Sequence, residues 1–194
     1  MIIDPRNDWR VCLSGEMDLN FMIYTATAYG LFAEKDSKWP PEKLFEQPVS
    51  FVEKLQTQWN AWWNQILKDK AQGLRDGFPM IAVVPPFEKV EQPELREALL
   101  QSWPSFHRWW RMSAGGHNAM FSWEDRPNID SYIYELKREL GREYLSFRLN
   151  MDLVYGGIPE PIEVGEDYMV VPVHTNYILN KDWWKQILAA RIRK

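Results

Sequence analysis

The chain is short of the residues that mark several common classes of protein. It has one cysteine, Cys12, in 194 residues, so no disulfide can close within it and a disulfide-stapled secreted scaffold is excluded. It has three histidines, His107, His117 and His174, with no His-Glu-x-x-His or Cys-x-x-Cys spacing, so no metal site is expected. It has no basic excess. The 23 lysines and arginines stand against 27 acidic residues, and a net charge of −4 leaves no electrostatic footprint for nucleic acid.

Long apolar runs are also missing. The longest uncharged stretch, Leu19 to Ala33, has 15 residues, below the roughly 20 that span a bilayer. It contains Asn20, Thr25 and Thr27 and reads as a buried core helix, so no membrane association is expected. The opening Met1-Ile2-Ile3-Asp4-Pro5-Arg6 lacks the basic-then-apolar order of a secretory signal. A reducing, cytoplasmic setting is the expectation. Gly-x-Ser-x-Gly and the phosphate-cradling and dinucleotide glycine motifs are absent, so no nucleophile motif and no cofactor are expected.

What the chain has in excess is tryptophan, 11 in all. Six of these form three adjacent doublets: Trp62-Trp63, Trp109-Trp110 and Trp183-Trp184. Neighbours on a helix point about 100° apart, so a doublet cannot fit one narrow apolar stripe. One ring of each pair is expected at the edge of the buried face, where the indole N–H finds a polar partner and the ring finds burial. Such surfaces suit helix packing, a protein partner, or a stacking ligand.

Hydrophobic periodicity places the elements. Residues 9–14 suit a short strand or the lead-in to a helix. A nearly all-apolar helix is expected over 18–34, capped by Ser14 or Asp18. The Ser50/Glu53 spacing resembles a capping box and opens a helix over 51–72 with Leu55, Trp59, Trp63 and Ile66 on one face. Met80 to Val84 reads as a buried strand or an extended segment. A helix starts with Pro93 at its first turn, and Pro104 is expected to break or kink it. Another runs over 128–140 and stops at Gly141. Residues 143–155 alternate apolar and polar, as a half-buried strand does. Residues 168–179 look β-rich, with Pro172 favouring an edge. Asn180 or Asp182 opens a last helix.

These elements predict a single α+β domain over 1–194. Four to five helices would pack on one face of a small, mainly antiparallel sheet, with the last two strands forming a hairpin.

Three sets of residues are candidates for function. The six doublet tryptophans are candidate partner or ligand contacts. If residue 150 lies opposite residue 174, then Asp152, Arg148 and His174 share a polar sheet face that suits anion binding or acid–base chemistry. Gly115, Gly116 and His117 form a glycine-rich loop that could present backbone N–H groups to an anion. The preferred reading is association, with a second copy or another protein, through Trp-rich helical surfaces. The alternative is a small enzyme or anion-binding domain using His174, Arg148 and Asp152.

Overall fold

The computed structural model describes residues 8–32, 45–76, 85–121, 127–173 and 175–192. Strand β1 (Trp9–Ser14) runs into helix α1 (Met17–Ala28). Helices α2 (Val49–Asp76), α3 (Pro93–Trp110), α4 (Gly116–Phe121) and α5 (Ile129–Leu140) follow. The chain then returns to the sheet in β2 (Phe147–Val154), β3 (Ile162–Glu163) and β4 (Tyr168–Pro172). It ends in α6 (Thr175–Ile178) and α7 (Lys181–Ile192).

The sheet has the order β1-β2-β4-β3, and it corrects the expected antiparallel arrangement. β1 pairs parallel to β2, and β2 pairs parallel to β4. Only the two-residue β3 runs antiparallel, against β4. The expected hairpin of residues 143–155 with 168–179 is therefore absent. Asn150 lies opposite Tyr168, not opposite residue 174. The long connection after β2 gives the chain room to turn back through β3 and enter β4 in the same direction as β2.

Parallel strands are commonly buried on both faces, and β4 is buried along its whole length. β4 and the carboxyl half of β2 are thus buried on both faces, in place of the one-faced packing expected, while Arg10 and Arg148 leave the paired amino ends of β1 and β2 exposed. Pro172 does not make β4 an edge strand. Val173 donates its N–H to the Val154 carbonyl at 2.7 Å. In a parallel ladder adjacent residues hydrogen-bond to opposite sides, so Pro172 faces the β3 side. There β3 pairs only with Met169 and Val170, so the donor that proline lacks has no partner to miss.

The helices follow local chemistry with some departures. α1 ends at Ala28, with Gly30 in the left-handed region, rather than running to residue 34. Its N-cap is Glu16 and no side chain caps it. α2 begins at Val49, one residue ahead of Ser50, which is therefore not its cap, and continues past Gly73. α3 passes through Pro104 without breaking. The carbonyl that Pro104 cannot serve belongs to Leu100, on the exposed side of the helix. Asn128 caps α5 by accepting the Ser131 N–H at 3.1 Å, and Gly141 closes it in the left-handed conformation. Asn180 accepts the Trp183 N–H at 3.0 Å. The strand or extended segment expected over 80–84 lies outside the described residues.

Candidate functional site

The doublets divide as helical geometry requires. Trp63, Trp110 and Trp184 are buried, while Trp62, Trp109 and Trp183 are half-buried. Most of the indole surface is used internally. Trp59 and Trp63 stack with centroids 5.3 Å apart, and Trp59 Nε1 donates to the Met22 carbonyl at 3.0 Å. Trp103 meets Phe21 edge-on at 5.1 Å, and Trp109 meets Tyr155 edge-on at 5.5 Å. Trp184 is locked by its Nε1, which donates to the Ile178 carbonyl at 2.7 Å.

The C-terminal pair has a different setting. Trp183 packs edge-on against Trp184 at 5.2 Å and against Tyr177 at 5.8 Å. Leu179, on the turn between α6 and α7, is 40% exposed. Ile187 lies one helical turn after Trp183 on the same face and is half-buried. Tyr177, Trp183 and Ile187 are thus half-buried apolar side chains of α6 and α7, with exposed Leu179 on the turn that joins the two helices. The opposite flank of α7 is charged and faces α5. Lys181 reaches Glu135 at 2.6 Å, and Lys185 pairs with Glu135 and Glu139.

The polar trio expected on the sheet does not form the expected unit. Arg148 and Asp152 share a face, but four residues of strand separate them by about 13 Å. Arg148 is exposed and its guanidinium approaches Asp8 at 4.0 Å. His174 lies outside the described residues.

Asp152 belongs instead to a buried ionic cluster. Lys70 on α2 donates to Asp18 Oδ2 at 2.8 Å, to Asp18 Oδ1 at 3.0 Å, and meets Asp152 Oδ2 at 3.1 Å. The Tyr168 hydroxyl donates to Asp152 Oδ2 at 2.8 Å. Lys70, Asp152 and Asp18 are 2%, 4% and 7% exposed. Burial alone disfavours the Lys70 ammonium, but Asp18 and Asp152 outweigh it and hold its pKa above the ordinary lysine value. Burial raises the Asp152 carboxyl above the ordinary range against the downward pull of Lys70. The Tyr168 hydroxyl is raised by burial and by the Asp152 charge. These directions are mutually consistent, because one ammonium offsets only one of two carboxylates and the excess charge is least welcome where burial is deepest.

The cluster sits toward the carboxyl ends of the parallel strands, the region where open α/β sheets commonly bind ligands. Here the region is filled. Asn20 adds to the closure, donating to the carbonyls of Glu16 at 2.8 Å and Leu153 at 3.0 Å and accepting the Tyr155 N–H at 2.9 Å. No solute reaches Lys70 Nζ, so the cluster ties α1, α2, β2 and β4 together.

The glycine loop is explained by packing. A Cβ at Gly116 would lie 2.4 Å from Trp110 Cα, and its φ of +48° favours glycine. His117 is exposed and meets Trp110 edge-on at 5.5 Å. Among the described residues no group of three or more His, Cys, Asp or Glu is placed to hold a metal ion. No described helix is long and apolar enough to cross a membrane. No protein family, no curated protein and no solved structure matches the chain.

Lys70 and Leu179 carry weight that the sequence reading did not give them. Lys70 does lie on the α2 apolar stripe, four residues after Ile66 and three after Leu67. A lone lysine at a buried helical position calls for buried carboxylates, and that signal was present.

Proposed function

We propose that the chain acts by association with a second copy of itself through the α6–α7 surface. The observation that carries this reading is Leu179, 40% exposed beside two half-buried aromatic rings, Tyr177 and Trp183. Aromatic residues are enriched in the cores of protein interfaces. A two-fold interface sets one patch against its own copy, and the lysines of α7 are turned away from this one: Lys181 and Lys185 pair with Glu135 and Glu139 on the far flank of the helix. A stable interface buries roughly 800 Å² per partner, so Tyr177, Leu179, Trp183 and Ile187 would form its centre, with neighbouring polar surface completing it.

Light scattering coupled to gel filtration tests the reading. The expected result is a dimer at concentrations on the order of 10–100 µM, and a monomer for Leu179→Glu with an unchanged melting temperature. Leu179→Glu places a charge on an already exposed position, so it tests association rather than folding. A native chain that stays monomeric over this range overturns self-association, and a dimer untouched by Leu179→Glu overturns this surface.

A further inference from the structure

We infer that the outer edge of β1 takes an extended acidic peptide as a further strand of the sheet. β1 is one of the two edges in the order β1-β2-β4-β3. The other edge, β3, has two residues and is too short to template a partner. β1 has six, Trp9 to Ser14, with no proline and no glycine. Alternate residues of a parallel strand turn their N–H and C=O away from the neighbouring strand. Among the described residues, no backbone group pairs with those of β1 on its outer side. A row of unpaired peptide groups is a template for strand addition.

The side chains beside this edge select the sign of the partner. Arg10 lies directly opposite Arg148 in the β1–β2 register, so the two share one face on strands about 4.8 Å apart. Both are exposed. Arg10 Nε donates to Cys12 Sγ at 3.1 Å, which lays the guanidinium along β1. Among the described residues Arg148 meets only Asp8, itself 66% exposed, at 4.0 Å, too long for a good hydrogen bond. Glu16, past the other end of β1, accepts from the Ser14 hydroxyl at 2.6 Å. Two guanidiniums against the one loosely held carboxylate of Asp8 leave positive charge beside the edge. On an added strand, an acid across from Arg10 is favoured and a like charge is penalised.

The opposite face of β1 carries Trp9, Val11 and Leu13, half-buried against the core. Trp9 stacks on Phe147 with centroids 6.4 Å apart. A strand sends successive side chains to opposite faces. The matching peptide therefore alternates acidic residues on the Arg10 face with apolar residues beside Trp9, Val11 and Leu13. A second copy of β1 added antiparallel is a poorer match, because it brings Arg10 and Arg148 of both chains onto one sheet face.

The test is fluorescence anisotropy of labelled hexapeptides titrated with the full chain. The probe is a capped peptide alternating glutamate and valine. One control replaces glutamate by lysine, and the other methylates every backbone nitrogen. The glutamate peptide is expected to bind at least about tenfold more tightly than the lysine peptide, a difference of roughly 1.4 kcal/mol. The methylated peptide keeps its charges but has no N–H to donate, and it is expected not to bind. Arg10→Glu, at an exposed position that leaves the core intact, is expected to reverse the charge preference without changing the oligomeric state. No binding of the glutamate peptide up to about 1 mM overturns the inference. So does equal binding of the lysine or the methylated peptide, or an unchanged preference in Arg10→Glu. A changed oligomeric state in that variant also overturns it, by placing a second copy on β1.

Discussion

Replacing Lys70 by methionine isolates the energetics of the buried cluster. Methionine keeps the length and apolar stem of the side chain but removes the ammonium that contacts Asp18 at 2.8 and 3.0 Å and Asp152 at 3.1 Å. Two carboxylates, 7% and 4% exposed, then remain buried without a counter-ion. Removing one partner of a buried ion pair costs about 3–5 kcal/mol, a large part of a typical stability of about 5–15 kcal/mol. Urea denaturation followed by tryptophan fluorescence reads this as a fall in midpoint of about 2 M. Asp152→Asn is expected to cost less, within about 1 kcal/mol, because the amide oxygen still accepts from Tyr168 and the surplus negative charge is gone. The Lys70→Met deficit should also shrink as the pH falls. Burial already makes the Asp152 carboxyl easier to protonate in the folded chain than in the unfolded one, and removing Lys70 takes away the charge that opposes this, so acid favours folding of the variant relative to the parent. A deficit below about 1 kcal/mol, or one that grows in acid, refutes the assignment of Lys70 as the counter-charge.

Further perturbations test the cluster and the glycine loop. Lys70 and Tyr168 both have pKa values raised above those of the unfolded chain, 10.5 and 10.0. The unfolded chain therefore releases these protons first, and stability should fall as the pH rises from about 9 to about 11. Tyr168→Phe, measured by denaturation at both ends, should flatten that fall. Gly116→Ala should cost more than about 2 kcal/mol, since its Cβ would meet Trp110 backbone under strained φ. Gly141→Ala, with a φ of +63° but nothing within 4 Å of the added carbon, should cost about 1 kcal/mol. Equal losses at the two glycines would remove the steric explanation for the loop.

The helices were legible because periodicity and capping are local. The stripe of Leu55, Trp59, Trp63 and Ile66 marks α2, and Asn128 with Gly141 brackets α5. Strand direction was not legible, because alternation along 143–155 reports only which residues share a face. The clue to a parallel sheet lay in Tyr168-Met169-Val170-Val171, an apolar run with no alternation. Such a run fits a strand covered on both sides. Pro172 pulled the reading toward an edge, although its position at the end of β4 leaves the ladder toward β2 intact.

The candidate site was legible only as residue types, because its meaning lies in partners 52 and 82 residues apart along the chain: Lys70 with Asp18, and Asp152 with Lys70. Asp152 read as one of several polar residues on an open sheet face, and on β2 the nearby Arg148 is indeed exposed. The difference between the two positions is made by Lys70 on α2, which reaches Asp152, whereas Arg148 meets only exposed Asp8 among the described residues. An acid next to solvent and an acid under a helix look the same in sequence. What distinguishes them is a matching charge elsewhere on an apolar stripe, so Lys70 is the residue through which the buried cluster becomes readable. The same reasoning applies at the chain's end. Trp183 and Trp184 are adjacent in sequence, yet Trp184 is sealed by its bond to Ile178 while Trp183 borders exposed Leu179. A doublet therefore contributes one core residue and one surface residue. Composition alone cannot assign the surface member to a partner, and the Leu179 substitution makes that assignment testable without disturbing the core.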